Sequence, residues 1–127
     1  MIWLTKEQVI SLHTKLIEKT GGTDGIRDDG LLDAALHAPF HTFETNELYR
    51  SLCDKAARLA YGLTQNHPFV DGNKRIGAHA LLVVLTLNGV IMRYNQQELV
   101  DLFLGIASGK VDFEELKKWV VEHVVKG

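Results

Sequence analysis

From Asn73 to about Asn88 the chain reads as a helix whose body, including the unbroken run Ala80 to Leu85, is apolar on all sides. Such a helix has no face to offer water, so it implies a central, buried element. Asn88-Gly89 closes it. The rest of the chain must therefore supply amphipathic elements to cover it, and the sequence contains them. Thr5-Lys6-Glu7-Gln8 is a capping box that opens a first helix with Val9, Leu12, Leu16 and Ile17 as its apolar stripe, stopped by Gly21-Gly22. A short second helix follows Asp28 or Asp29, carries Leu31, Leu32, Ala35 and Leu36, and ends at Pro39. A third is expected from about Glu47 to Asn66, with Leu48, Leu52, Ala56, Leu59, Ala60 and Leu63 on one side. Asn95 opens a fifth, with Leu99, Leu102, Phe103 and Ile106, and Asp112 a sixth, with Leu116, Trp119, Val120 and Val124. Residues Phe40 to Glu47 lack helical periodicity and fit an extended stretch or short hairpin, and Val90 to Tyr94 could hold one short strand. The expected architecture is all-α, a compact bundle of about six helices with a minor β element.

With 127 residues the chain fits one domain, 1–127, large enough to bury a real core. A formal net charge of −2 argues against an overall electrostatic surface for nucleic acid. The single cysteine, Cys53, allows no internal disulfide and no zinc cluster, and reads as a buried, inert thiol on a helix face. Met1-Ile2-Trp3-Leu4 is too short for a secretory signal core, and no apolar run approaches a membrane span. The expectation is a soluble cytoplasmic protein.

The chemistry concentrates between the third and fourth helices, in His67-Pro68-Phe69-Val70-Asp71-Gly72-Asn73-Lys74-Arg75. Pro68 biases His67 away from helical dihedrals, Asp71-Gly72 is a turn signal, and Asn73 is suited to cap the following helix. Lys74 and Arg75 then fall in that helix's first turn, where the helix dipole disfavours cations. Other first turns in the chain follow the rule, with Glu7, Glu98, Glu114 and Glu115. Two cations over free backbone N–H groups make sense if an anion is bound, and a helix N-terminus is a ready phosphate site. A histidine beside it can take the proton of an attacking hydroxyl, and a carboxylate can hold magnesium. Phosphoryl or nucleotidyl transfer needs these parts and little else. Taken singly, each residue has a plain structural explanation: a cap, a turn, a solvated charge.

These residues carry a family likeness. The segment resembles the signature of the Fic/Doc superfamily, His-x-Phe-x-Asp/Glu-Gly-Asn-Gly-Arg-x-x-Arg, with two departures: Lys74 stands where the second glycine falls, and Ala78 where the final arginine falls. Both point to the Doc branch, as does the stretch from Gly25 to Leu36, which looks like the Doc segment following the first helix. The resemblance implies the Fic fold and an ATP-dependent kinase acting on a threonine of elongation factor Tu to stop translation. It implies His67 as general base, Asp71 as magnesium ligand, and Gly72, Asn73, Lys74 and Arg75 around the ATP phosphates. Lys74 would occupy room that glycine leaves, favouring a pose that presents the γ-phosphate. Transfer of AMP, as in typical Fic proteins, is the alternative, and a catalytically silent binding module is another. A Phd-type antitoxin is implied as partner, its C-terminal segment docking on an apolar groove, and no nucleic acid or membrane is expected to bind directly.

Other histidines are weaker candidates. His37 and His41 have metal-like spacing, but Pro39 interrupts the helix between them. His79 lies one turn past Arg75 and is expected to satisfy a partner in the core. His13 and His123 read as ordinary helix-flank residues. Phe43 and its neighbours occupy the place of the Fic flap that holds a target backbone. Thr14 to Lys19 only approaches the inhibitory Ser/Thr-x-x-x-Glu-Gly/Asn pattern, because Lys19 fails its last place, and reads as part of the first helix.

Overall fold

The computed structural model describes residues Met1 to Gly127. It contains six α-helices, α1 (Lys6–Thr20), α2 (Asp29–His37), α3 (Leu52–Gln65), α4 (Asn73–Leu87), α5 (Gln96–Ala107) and α6 (Phe113–His123). Two small antiparallel sheets accompany them, β1 (Thr42–Phe43) with β2 (Asn46–Glu47), and β3 (Ile91–Met92) with β4 (Val124–Lys126).

Five of the six helices begin on a side-chain cap. Thr5 and Gln8 close a reciprocal capping box, as do Asp112 and Glu115. Asp28 accepts from Leu31 N, Ser51 from Asp54 N, and Asn95 from Gln97 N and Glu98 N. Each such cap contributes on the order of 1 kcal/mol.

The third helix starts later than its apolar spacing suggests. Glu47 belongs to β2, and Leu48 N continues the hairpin by donating to His41 O at 3.1 Å. The Ser51 hydroxyl then sets the true start. The hairpin turns through Glu44 and Thr45, both at positive φ (50° and 69°), as a tight two-residue connection requires. Lys55 ties it down. Its buried ammonium reaches Glu47 Oε1 at 3.0 Å and also bonds the Tyr49 carbonyl. Val124, expected on the stripe of α6, instead begins β4 opposite Met92.

The most enclosed helix is α3, which packs against α2, α4, α5 and α6. On α4, Ile76, Ala80, Leu81, Val84 and Leu85 are buried, whereas Leu87 is exposed. Its second face needs a lining that α1 and α5 give only in part. Small residues set the spacing: an added Cβ at Gly77 would overlap Thr64 Oγ1 and stand 3.0 Å from Ala60 O of α3, and one at Gly62 would stand 3.0 Å from Ala35 Cβ of α2. Each fully buried Leu, Ile or Val contributes about 1.5–3 kcal/mol. The consequence for function is positional: α3 and α4 are pressed together, and the loop between them is held at one end of the pair.

Candidate active site

The loop from Asn66 to Gly72 leaves α3 and enters α4 without regular structure of its own. Its backbone is fixed from several sides. Arg27 N and Asp28 N donate to Pro68 O at 2.7 and 3.0 Å, and Val70 N donates to Gly25 O at 2.9 Å. The Arg27 side chain donates from Nε to His67 O at 2.6 Å and from Nη2 to Asn66 O at 3.0 Å. The stretch resembling the Doc segment thus lies alongside the loop and satisfies its carbonyls. From below, Phe69 is fully buried and stacks on the His13 ring at 3.8 Å between centroids and 10° between planes.

Asn73 does not cap α4. The cap position is Gly72, in the left-handed region at φ 77°, and the buried Asn73 side chain turns back to Phe69, accepting from its N and donating to its O, both at 3.0 Å. Asparagine can bond in either direction, and here the loop backbone takes both of its groups. As a result α4 is the one α-helix with no side-chain cap. The N–H groups of Asn73, Lys74 and Arg75 have no acceptor, because intrahelical bonding begins with Ile76 N to Gly72 O.

The candidate residues converge. His67, Val70, Asp71, Gly72, Asn73, Lys74 and Arg75 line one open, largely polar concavity of about 220 Å³. His67 is exposed and strained, at φ 50°. Its Nδ1–H donates to Gln65 O at 3.1 Å, which leaves Nε2 with a free lone pair. Asp71 Oδ1 accepts from Gly72 N at 2.8 Å and Oδ2 from Thr23 N at 3.3 Å. These two N–H groups, with lesser help from Arg75 and His13, hold its carboxyl below its ordinary 3.8 against the opposing effect of burial. Asp71 is therefore ionised at neutral pH. Lys74 is exposed. Arg75 is engaged at the end of α1: Nη1 bonds Thr20 Oγ1 and donates to Gly21 O at 2.7 Å, while Nη2 lies 3.6 Å from Asp71 Oδ1.

The donor set fits a nucleotide phosphate with magnesium. Three open N–H groups and the Lys74 ammonium suit phosphate oxygens. Asp71 is a single half-exposed carboxylate with lone pairs to spare, and magnesium commonly takes one or two carboxylates with waters and phosphate oxygens. No group of three potential protein metal ligands occurs in the structure, at this site or around His37 and His41.

An apolar groove of about 310 Å³ adjoins the concavity between α1, α4 and α5, sharing Lys74 and Arg75 and lined by Leu16, Leu82, Phe103 and Leu104. His79 faces this groove and has no hydrogen-bond partner among protein groups, so it does not satisfy a core partner. Burial, with Lys19 adding to it, holds its imidazole below the ordinary 6.5.

The Fic/DOC family model matches residues 3–85, from ahead of α1 through the whole loop and into the last turn of α4. The chain belongs to the Fic/DOC family. It is 38% identical over 98 residues to "Toxin Doc" of Mycolicibacterium smegmatis, covering 76% of this chain and 75% of that protein. It is 30% identical over 108 residues to "Protein kinase doc" of Escherichia phage P1, covering 85% and 84%. These relatives place this Fic/DOC protein with the Doc toxins, in agreement with Lys74 and Ala78.

Two site residues escape a reading of the sequence alone. Arg27 acts through tertiary bonds that no local pattern announces. His13, read as a flank residue, is 1% exposed. Val9, His13 and Ile17 repeat every four residues and all are buried in α1, so the spacing that marked the stripe also marked the histidine.

Proposed function

We propose that this Doc-type protein is an ATP-dependent phosphotransferase that phosphorylates a threonine of elongation factor Tu and thereby arrests translation. The observation that carries the reading is the pairing of a free His67 Nε2 with the uncapped start of α4 on one concavity. ATP with magnesium would supply the phosphoryl group and part of the charge neutralisation. His67 Nε2 accepts the proton of the threonine hydroxyl as its oxygen bonds to the γ-phosphorus; the bond to the β-phosphate oxygen breaks and ADP leaves. Asp71 would hold the magnesium ion. The Asn73, Lys74 and Arg75 N–H groups and the Lys74 ammonium would bind the phosphate oxygens, and Asn73 keeps the loop in shape through Phe69. Gly72 supplies the left-handed turn that aims those N–H groups. Arg75 contributes charge from its station against Asp71 and α1.

The groove between α1, α4 and α5 suits an amphipathic helix, and a Phd-type antitoxin is proposed as its occupant through its C-terminal segment. The exposed hairpin with Phe43 is suited to hold an extended target chain. No helix is long and apolar enough to cross a membrane, and the proposed target would place the protein in the cytoplasm.

Expression of the wild type and of His67→Ala without antitoxin tests the reading. The wild type is expected to arrest growth and leave phosphothreonine on elongation factor Tu, and His67→Ala to do neither. Equal toxicity of the two would remove His67 as the base, and an AMP adduct in the mass spectrum of the target would assign the site to nucleotidyl transfer.

A further inference from the structure

We propose that His13 is a positioning residue for this site, holding the Asp71–Gly72 peptide through a hydrogen bond from its Nε2–H to the Asp71 carbonyl. The inference rests on the roles proposed above for Asp71 and the start of α4. A histidine at 1% exposure is costly to bury unless its polar atoms are used. His13 does not spend its donor within α1. It reaches 58 positions along the chain to Asp71 O, at 2.6 Å.

The other side of the same peptide is also held, since Gly72 N–H donates to Asp71 Oδ1 at 2.8 Å. One peptide unit therefore carries two attachments: its oxygen to His13, and its N–H to the carboxylate proposed to bind metal. Rotation of that peptide would break both. Gly72 offers little resistance of its own, because glycine occupies left- and right-handed regions about equally. The restraint comes from the His13 bond, and α1 packs close enough to deliver it: a Cβ added at Gly72 would stand 3.1 Å from Ile17 Cδ1 and 3.5 Å from His13 Nε2. Stacking on Phe69 fixes the plane of the imidazole, so the donor direction is set as well as its distance. The other ring nitrogen, Nδ1, is buried without a hydrogen-bond partner, although Asp24 Oδ1 lies 3.3 Å away, so the bond to Asp71 O is the one hydrogen bond the imidazole makes.

The test compares His13→Leu, which keeps bulk without a donor, with His13→Gln, whose amide restores one. Amide hydrogen exchange of Val70, Gly72 and Ile76, whose N–H groups are bonded in and beside the loop, is measured alongside kcat and the KM for the protein target. His13→Leu is expected to speed exchange there by about tenfold or more and to lower kcat by about 10- to 100-fold, the scale of a small misplacement of reacting groups, with the target KM little changed. His13→Gln should recover most of both. If His13→Leu does not fold, His13→Met replaces it; failure of both to fold would overturn the proposal by making His13 a requirement of the fold itself. Unchanged exchange, unchanged kcat, or a His13→Gln as impaired as His13→Leu would each overturn it too. A wild type that transfers no phosphate would instead sink the proposed function, and the exchange comparison would still decide whether His13 holds the peptide.

Discussion

Arg27 Nε donates to the carbonyl oxygen of His67 at 2.6 Å, across 40 positions of sequence, and so holds the proposed base from behind in a left-handed conformation. A non-glycine residue there costs on the order of 1–3 kcal/mol unless its surroundings impose it. Arg27 imposes it twice, since Nη2 also binds Asn66 O. Arg27→Ala is expected to release the strain by letting His67 relax. Global stability should fall only modestly, by about 1 kcal/mol, because Arg27 is exposed. The kcat should fall more than tenfold, in line with lost orientation. Urea unfolding and steady-state kinetics on one preparation would show the split, and a fall in stability with unchanged kcat would contradict it.

Gly77 sets the distance between α3 and α4. Gly77→Ala should destabilise by about 1–3 kcal/mol, the usual scale of overpacking, because the new methyl overlaps Thr64 Oγ1 and crowds Ala60 O. Thr64→Ala in the same chain removes the first conflict and should recover part of the loss. A double-mutant cycle by chemical unfolding checks this, and additivity would show that the two positions do not compete for space.

Lys55 and Glu47 form an ion pair of unequal members, one buried and the other 55% exposed. Lys55→Met leaves the Tyr49 carbonyl without its donor and should cost about 1–3 kcal/mol. It should also speed exchange at Leu48 N, where the hairpin runs on from β2. Glu47→Gln removes only a solvent-screened charge and should cost less than about 1 kcal/mol. Equal losses would mean that the carboxylate, rather than the carbonyl, anchors the hairpin.

His79 makes stability depend on pH in a stated direction. Its imidazole is held below 6.5 by burial, so the unfolded chain takes up its proton first. The folded state is favoured above 6.5 and loses that advantage as the pH falls through the depressed value. His79→Leu should therefore gain on the wild type in melting temperature between about pH 8 and about pH 5. Parallel melting curves across that range would exclude the effect.

The helices were legible wherever their signals were local. The capping box of α1 depends on residues three apart and forms as the sequence implies, and Asp112 opens α6 as expected. The start of α3 was not legible, because Leu48 falls at helical spacing from Leu52 while its backbone is claimed by the hairpin. Asn73 shows the same difficulty at the site. Its type suits a cap, but Phe69 offers two backbone partners that only the folded loop presents. The convergence of His67, Asp71, Lys74 and Arg75 was readable because they are contiguous, whereas Arg27 and His13 join them only through contacts between distant segments.

The loop ahead of α4 depends on His13 in α1, on Gly25 and Arg27 before α2, and on Asn73 in α4 itself. These contacts close long stretches of chain, so their entropy must be met before the loop takes its shape. A chain that lacks these contacts would lack the reactive geometry even where its helices had formed. Phosphotransfer competence should then appear late and all at once during refolding, trailing the recovery of helical signal. For a protein proposed to be toxic, folding itself becomes the arming step.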